Sequence, residues 1–140
     1  MAKRVGCDIT LDPRQEDATG NILEATGGVG VDAIVEASGN AVSLEGAFAY
    51  LRKGGRCALV GLPSEPVRLD LGPDVVFKEA TIIGIHGREM FRTWTRMLQL
   101  LASGLLRVDP VVTHEMPLER CGEGLALLEA GKGGKVILVP

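Results

Sequence analysis

Apolar residues follow two spacings along the chain, and these spacings predict alternating strands and helices. Short apolar runs bounded by glycine or proline are typical of buried strands, whereas apolar residues three and four positions apart are typical of helices. Strands are predicted at residues 7–11, 31–37, 56–62, 80–85 and 135–139, and helices at residues 16–25, 41–51, 91–102 and 117–130. Residues 1–5 are predicted to be the end of a helix, closed by Gly6.

This alternation predicts an α/β fold, a partial doubly wound parallel sheet of the Rossmann type with helices on its faces. The order strand, helix, strand, helix, strand, with a glycine at each strand exit, is that of a mononucleotide-binding half. The pattern changes after Leu106, where a short extended piece, a helix and a last strand follow. We therefore predict two parts, residues 1–106 and residues 107–140.

The ends of three predicted strands are the candidate ligand site, because parallel α/β sheets bind ligands at the carboxyl ends of their strands. They are residues 36–39, 60–63 and 85–88. His86, in the last of them, has two interpretations, a structural hydrogen-bonded residue or a functional one. Arg88 could clamp a carboxylate or phosphate, or pair with Glu89 at the surface.

The segment Gly28–Ala33 spells G-x-G-x-x-A, the letters of a dinucleotide-binding fingerprint. That fingerprint works when its glycines follow a strand and open a helix, so that a pyrophosphate meets the helix N-terminus. Here the glycines follow a predicted helix and open a predicted strand. We therefore interpret them as a helix end and turn, and no other segment of the chain offers a phosphate-binding loop.

Charge and cysteine content narrow the classes of partner. The 140 residues carry a net charge of −3 without a basic cluster, which argues against nucleic acid or an anionic membrane surface as a partner. No apolar stretch is long enough to span a membrane, and the N-terminus lacks the apolar core of a signal peptide. The three cysteines form no disulfide or zinc pattern, and His114 lacks a second ligand at metal-binding spacing. A cytoplasmic protein is expected.

The segment "GIHGREMFRTW", residues 84–94, resembles a segment of the L-threonine 3-dehydrogenases, which belong to the zinc-containing medium-chain dehydrogenases. Other segments resemble the same family and extend the similarity over essentially the whole chain. They are "AKRVGCDITLDP", "TGGVGVDAIVEASG", "GGRCALVGLP" and the run from "DPVVTHEMPLE" to the last residue.

The resemblance implies a Rossmann domain whose first βαβ unit is missing, followed by a segment that in the family returns to the catalytic domain. It also implies NAD as the cofactor and L-threonine as a small-molecule substrate, whose secondary alcohol is oxidised to 2-amino-3-ketobutyrate. Zinc belongs to the full-length family, and its ligands are not expected in this chain. The chain alone is therefore expected to be inactive.

The resemblance also implies a set of residues that would line the cofactor cleft. They are Ser38, Gly39, Gly61, Leu62, Ile85, His86 and Arg88. The first pair would line the adenosine-to-nicotinamide side, the second would approach the nicotinamide ribose, and the third would meet the nicotinamide end. Arg88 would face the cofactor or the substrate. None of these residues performs the hydride chemistry, so no catalytic residue is predicted.

Two further interpretations stay open, a non-catalytic Rossmann remnant that binds or oligomerises, and a zinc-type dehydrogenase fragment for another polyol or alcohol. With the first strands of the family sheet missing, strand 31–37 would be an open apolar edge, and such edges invite pairing. We expect strand 7–11 to move onto that edge or the chain to form a homo-oligomer through an edge strand. Strand 80–85 is a second expected pairing edge.

Overall fold

The computed structural model describes all 140 residues, which divide into two compact units. Residues Leu11–Gly87 form one, called the sheet unit here, and residues Met1–Thr10 with Arg88–Pro140 form the other, called the terminal unit. The predicted division after residue 106 concerns where the family chain returns to its catalytic domain, and it stays a prediction.

The sheet unit has three parallel strands, as the alternating pattern predicted. They are β1 (Val31–Glu36), β2 (Leu51–Leu59) and β3 (Thr81–Gly84), with β2 in the centre. Helix α1 (Ala18–Ala25) precedes β1, and helix α2 (Ala41–Tyr50) connects β1 to β2. Because all three strands run in the same direction, their carboxyl ends lie along one edge of the sheet.

The core of the sheet unit lies between α2 and the sheet. Leu44 and Phe48 project from one face of the helix and pack against Leu51 and Cys57 of β2. Phe48 and Cys57 are fully buried. Asn40 fixes the start of the helix, because its side-chain oxygen accepts a hydrogen bond from the Ser43 N–H at 2.9 Å. The core therefore holds α2 against β2.

Two features of the sheet unit differ most from prediction. β2 begins at Leu51, five residues before the predicted strand 56–62, and its pairing with β1 is irregular over residues 52–55. The proline-containing stretch before β3 holds a helical segment, Leu71–Val76, that was not predicted. The Asp70 side chain accepts a hydrogen bond from the Gly72 N–H at 3.2 Å and starts this segment.

The predicted strand at residues 7–11 is wrong, because this segment has no regular secondary structure. A strand needs a partner for its backbone hydrogen bonds, and neither edge of the sheet pairs with these residues. Ile9 is accordingly 62% exposed. The expected move of this segment onto β1 has therefore not occurred, and β1 remains an open edge.

The terminal unit contains a second, two-stranded parallel sheet. Its elements are a 3₁₀ helix (Ala2–Val5), α3 (Arg92–Ala102), β4 (Val112–Pro117), α4 (Cys121–Glu129) and β5 (Lys135–Val139). β4 pairs with β5, and α4 links them. The predicted closure of the first helix by Gly6 is confirmed, with φ +101°. No helix in the structure has the length and apolar character needed to cross a membrane.

Candidate functional site

The three predicted strand ends lie next to one another at one edge of the sheet unit. The Val60 and Gly61 N–H groups, just after β2, donate to the Glu36 carbonyl oxygen at the end of β1, at 2.8 and 3.0 Å. The Ile85 N–H, just after β3, donates to the Leu59 carbonyl at 2.9 Å. We call residues 36–40, 59–62 and 85–86 the strand-end edge. Its position was predicted from the sequence.

The Glu36 side chain organises this edge, although Glu36 is not among the site residues predicted from the sequence. Its Oε1 atom accepts hydrogen bonds from the Ser38 N–H at 2.8 Å, the Ser38 hydroxyl at 2.5 Å and the Gly39 N–H at 3.0 Å. Glu36 is 7% exposed and is the one buried charged residue of the chain. The sequence signal for this role was an acidic residue next to the end of the run "VDAIVEA".

These hydrogen bonds lower the pKa of the Glu36 carboxyl group. The hydrogen bond from the Ser38 hydroxyl, helped by the backbone N–H groups, holds the pKa of Glu36 below its ordinary value, although burial acts in the opposite direction. Burial raises the pKa of the Cys57 thiol, and the charge of Glu36 adds to that effect. At neutral pH Glu36 at the edge is therefore ionised, and the Cys57 thiol in the core is protonated.

Two glycines allow the turns of the edge to touch through their backbones. Gly39 has φ +68°, and a Cβ atom on it would lie 2.5 Å from the Leu62 carbonyl oxygen. A Cβ atom on Gly61 would collide with the Gly39 nitrogen and would lie 2.6 Å from Glu36 Oε2. Such distances are far below van der Waals contact, so both positions require glycine. The two turns therefore contact each other through backbone atoms.

Two clefts border α2. A cleft of about 380 Å³ lies at the strand-end edge, and it is lined by Ser38, Gly39, Asn40, Ala41, Val42, Ser64 and Glu65. A larger cleft of about 500 Å³ lies between α1 and α2, with mainly apolar side chains. The first cleft is the one that contains predicted site residues, and the carboxylate of Glu65 gives it an acidic wall.

The structure brings six of the seven predicted cofactor-lining residues to one edge. Ser38 and Gly39 follow β1, Gly61 and Leu62 follow β2, and the pair at residues 85–86 follows β3, where both residues are exposed. Their role in cofactor binding stays a prediction.

The seventh predicted residue, Arg88, belongs to the terminal unit. Its guanidinium carbon lies 5.2 Å from the centre of the Trp94 ring, a cation–π geometry. The alternative of an Arg88–Glu89 ion pair is wrong, since Glu89 pairs instead with Arg92 at 2.9 Å. The predicted role of Arg88 toward cofactor or substrate stays a prediction.

The glycines that spell a dinucleotide fingerprint form a helix end, as predicted. The Gly28 N–H donates to the Leu23 carbonyl at 2.7 Å and so closes α1. The segment then enters β1. Gly28 and Gly30 therefore lie before a strand, away from the geometry that places a pyrophosphate at the start of a helix.

No group of three or more His, Cys, Asp or Glu side chains is arranged to hold a metal ion. His114 lies on β4, where its Nδ1 atom is 2.9 Å from the Thr113 hydroxyl. The side chains of this chain therefore do not fit a zinc site.

The lowered pKa of Glu36 predicts a stability change in acid. A carboxylate with a lower pKa in the folded state stabilises the fold above its unfolded pKa, and this contribution is lost as pH falls through the folded value. As pH falls below 4.5, the ordinary pKa of a glutamate, we expect the free energy of unfolding to decrease more steeply in the wild type than in Glu36→Gln. Urea denaturation at a series of pH values measures both slopes.

The Gln variant also serves as the control, because it keeps the other titrating groups. Asp12, for example, has its pKa lowered to about 2 by its hydrogen bond with Arg14 in both proteins. Equal slopes for the wild type and Glu36→Gln would contradict the assignment of this acid sensitivity to Glu36.

Comparison with known proteins covers the whole chain. A family model described as zinc-binding dehydrogenase matches residues 1–103. The chain is 43% identical over its full length to an L-threonine 3-dehydrogenase of Bacillus velezensis, and 40% identical to one of Bacillus subtilis. In both cases it spans 40% of the length of that relative.

Solved structures agree on the fold. An alcohol dehydrogenase of Thermotoga maritima superimposes on 99% of this chain with a TM-score of 0.87 and 29% identity, and the match covers 39% of that structure. A 2R,3R-butanediol dehydrogenase of Bacillus subtilis superimposes on 99% of the chain with a TM-score of 0.86 and 28% identity, covering 40% of that structure. These matches confirm the predicted α/β fold class and the family resemblance.

Proposed function

Because the chain belongs to the zinc-binding dehydrogenase family, we propose that it contributes the nicotinamide side of the cofactor cleft in an NAD-dependent oxidoreductase. The proposed reaction is oxidation of the secondary alcohol of L-threonine to 2-amino-3-ketobutyrate. The observation that carries this substrate is 43% identity along the entire chain with a protein named L-threonine 3-dehydrogenase. The identity to the alcohol and butanediol dehydrogenase structures is lower, 29% and 28%.

The strand-end edge fits the sugar and nicotinamide part of a dinucleotide. NAD, when bound, accepts a hydride, and the residues of this chain would bind and orient it. Gly39 and Gly61 let the two turns lie in direct backbone contact, which supports a fixed shape for the surface that would meet the ligand. The Ser38 and Gly39 N–H groups already donate to Glu36, so this turn suits a neutral ribose rather than a phosphate.

Zinc is expected in full-length members of this family. The side chains of this chain do not fit a zinc site, so no step of the reaction is assigned to a metal held here. No catalytic residue is assigned either. The contribution proposed for this chain is confined to binding and orienting the cofactor.

We also propose that the chain forms a homo-oligomer through an edge strand. β1 and β3 are the two edges of the sheet, and Val35 on β1 is 70% exposed. Lysine on an edge strand opposes pairing with another chain, so Ile83→Lys on β3 is expected to weaken self-association about tenfold. Val42→Lys, on the exposed surface of α2, is the matched control.

Sedimentation over a range of protein concentrations measures this self-association. A wild-type chain that stays monomeric at every concentration would contradict oligomer formation. Equal weakening by the two lysine variants would contradict the assignment to β3.

The test of the proposed function is NADH formation from several alcohols. The longest product of the native locus that contains these 140 residues is assayed with L-threonine, sorbitol and 2,3-butanediol. We expect L-threonine to have the highest kcat/KM, and the 140-residue chain alone to give no turnover.

Two results would contradict the proposal and favour its alternatives. A preference for sorbitol or 2,3-butanediol would indicate a polyol or alcohol dehydrogenase of the same family. No turnover of any substrate together with no NAD binding would indicate a non-catalytic binding or oligomerisation module.

A further inference from the structure

Glu36 is a buried charge whose position calls for a physical explanation. Burying a carboxylate is costly unless it is fully hydrogen-bonded, and an apolar residue at the end of β1 would avoid that cost. Glu36 instead accepts hydrogen bonds from three donor groups on Oε1, and one of them, the Gly39 N–H, also lies 3.2 Å from Oε2. All three donors belong to Ser38 and Gly39, two of the residues predicted to line the cofactor cleft.

The same residue also fixes the neighbouring turn through its backbone. Its carbonyl oxygen accepts the Val60 and Gly61 N–H groups, and its Oε2 atom lies where a side chain on Gly61 would have to go. The backbone contacts would survive any substitution at position 36. The contacts of the carboxylate would not, so they can be tested separately.

We propose that Glu36 is a positioning residue that sets the ligand preference of the strand-end edge, an inference that rests on the proposed function. Its carboxylate occupies the Ser38 and Gly39 N–H groups that an external anion would otherwise use. The turn therefore excludes phosphate and is held in the shape that meets the neutral, hydroxyl-bearing ribose of a dinucleotide. Glu36 does not itself touch the ligand; it acts through Ser38 and Gly39.

The charged and titratable groups near this turn support exclusion of anions. Cys57 on β2 is the thiol whose pKa the Glu36 charge helps to raise, and it carries no charge at neutral pH. Glu65 lines the cleft beside Ser38 and Gly39. No lysine or arginine lines this cleft, so an entering phosphate would meet negative charge without compensation.

The first measurement follows the Gly39 amide by NMR in ¹⁵N-labelled chain. In the wild type we expect its resonance to move as Glu36 is protonated in acid, and this step to be absent in Glu36→Gln. We also expect Ser38 and Gly39 amide exchange to be at least about tenfold faster in that variant, since a neutral amide oxygen accepts hydrogen bonds more weakly than a charged carboxylate oxygen. Glu36→Asp is expected to restore part of the protection.

Glu45→Gln is the matched control, because the Glu45 carboxylate also accepts a backbone hydrogen bond, from the Arg68 N–H at 2.8 Å. Its Gly39 amide is expected to behave as in the wild type. Should Glu36→Gln fail to fold, the acid titration of the wild-type Gly39 amide still decides the matter. Two results would overturn the positioning role. One is unchanged Ser38 and Gly39 amide exchange in Glu36→Gln, and the other is a wild-type Gly39 amide resonance that does not shift with pH.

The second measurement titrates wild type and Glu36→Gln with NAD and with inorganic phosphate. We expect NAD to bind the variant at least about tenfold more weakly, and phosphate to leave the wild-type Ser38 and Gly39 resonances unmoved. Equal NAD affinity in both proteins, or phosphate-induced shifts at Ser38 and Gly39 in the wild type, would overturn the ligand preference. If NAD does not bind the wild type but the amide exchange and pH titration give the expected results, the proposed function is contradicted. The positioning of the turn by Glu36 is then still supported.

Discussion

Replacing Phe48 with alanine is expected to lower the free energy of unfolding by about 3–5 kcal/mol. Phe48 is fully buried and packs with Leu44, Leu51 and Cys57 between α2 and the sheet. Its removal leaves a cavity in the packing between α2 and the sheet. A loss of this size is comparable with the whole stability of many small domains, so we expect the variant to be largely unfolded at room temperature.

Phe77→Ala is the matched control, because the Phe77 side chain is 74% exposed and its loss is expected to change stability by no more than about 0.5 kcal/mol. Chemical denaturation followed by circular dichroism measures both variants. Similar stability losses for the two phenylalanines would show that the core does not lie where the structure places it.

Replacing Gly61 with alanine is the prediction with the largest expected effect on the site. The new Cβ atom would collide with the Gly39 nitrogen and crowd Glu36 Oε2, so the two turns would have to separate. Strain of this kind costs about 1–3 kcal/mol. Because the separation also displaces the turn proposed to meet the ribose, we expect NAD affinity to fall by at least about tenfold.

Gly84→Ala is the matched control for this change, because Gly84 ends the neighbouring strand β3 and a Cβ atom there meets nothing within 4 Å. We expect its stability and NAD affinity to stay close to wild type. Thermal unfolding and NAD titration measure both variants. If Gly61→Ala were as stable as Gly84→Ala and bound NAD equally well, the close contact between the turns would be needed neither for stability nor for NAD binding.

The strand ends could be predicted from the sequence because local signals agreed with the tertiary arrangement. Apolar runs such as residues 31–36 end at turn-forming glycines, and the helical spacing of Leu44 and Phe48 lies between two of these runs. A helix between two strands leads to parallel pairing. Parallel pairing then places the ends at Ser38, Gly61 and Ile85 at the same edge without further information.

The other features depend on contacts that a single sequence does not reveal. Residues 7–11 have the composition of a strand, yet no neighbouring strand pairs with them. Trp94 has the spacing of a buried helix face, but it is 48% exposed, and α3 contains no buried residue. Glu36 looked like the polar end of a strand, and its role emerges only from the three-dimensional closeness of Ser38 and Gly39.

Arg88 illustrates the same limit for the candidate site. In sequence it lies two residues after His86, and this closeness suggested a common site with the other strand-end residues. The structure places the division between the two units just before Arg88 and stacks its guanidinium on Trp94. Sequence distance alone therefore did not establish that Arg88 shares the edge with the other six residues.

The central claim, that the strand-end edge meets the nicotinamide ribose of NAD, is tested most directly by NMR titration of the ¹⁵N-labelled chain with NAD. Because no phosphate-binding loop is found in the chain, we predict weak binding, with a Kd on the order of 1 mM. Amide shifts should concentrate at residues 38–39, 61–62 and 85–86. Tight binding, shifts centred elsewhere, or no shifts at saturating NAD would contradict the claim.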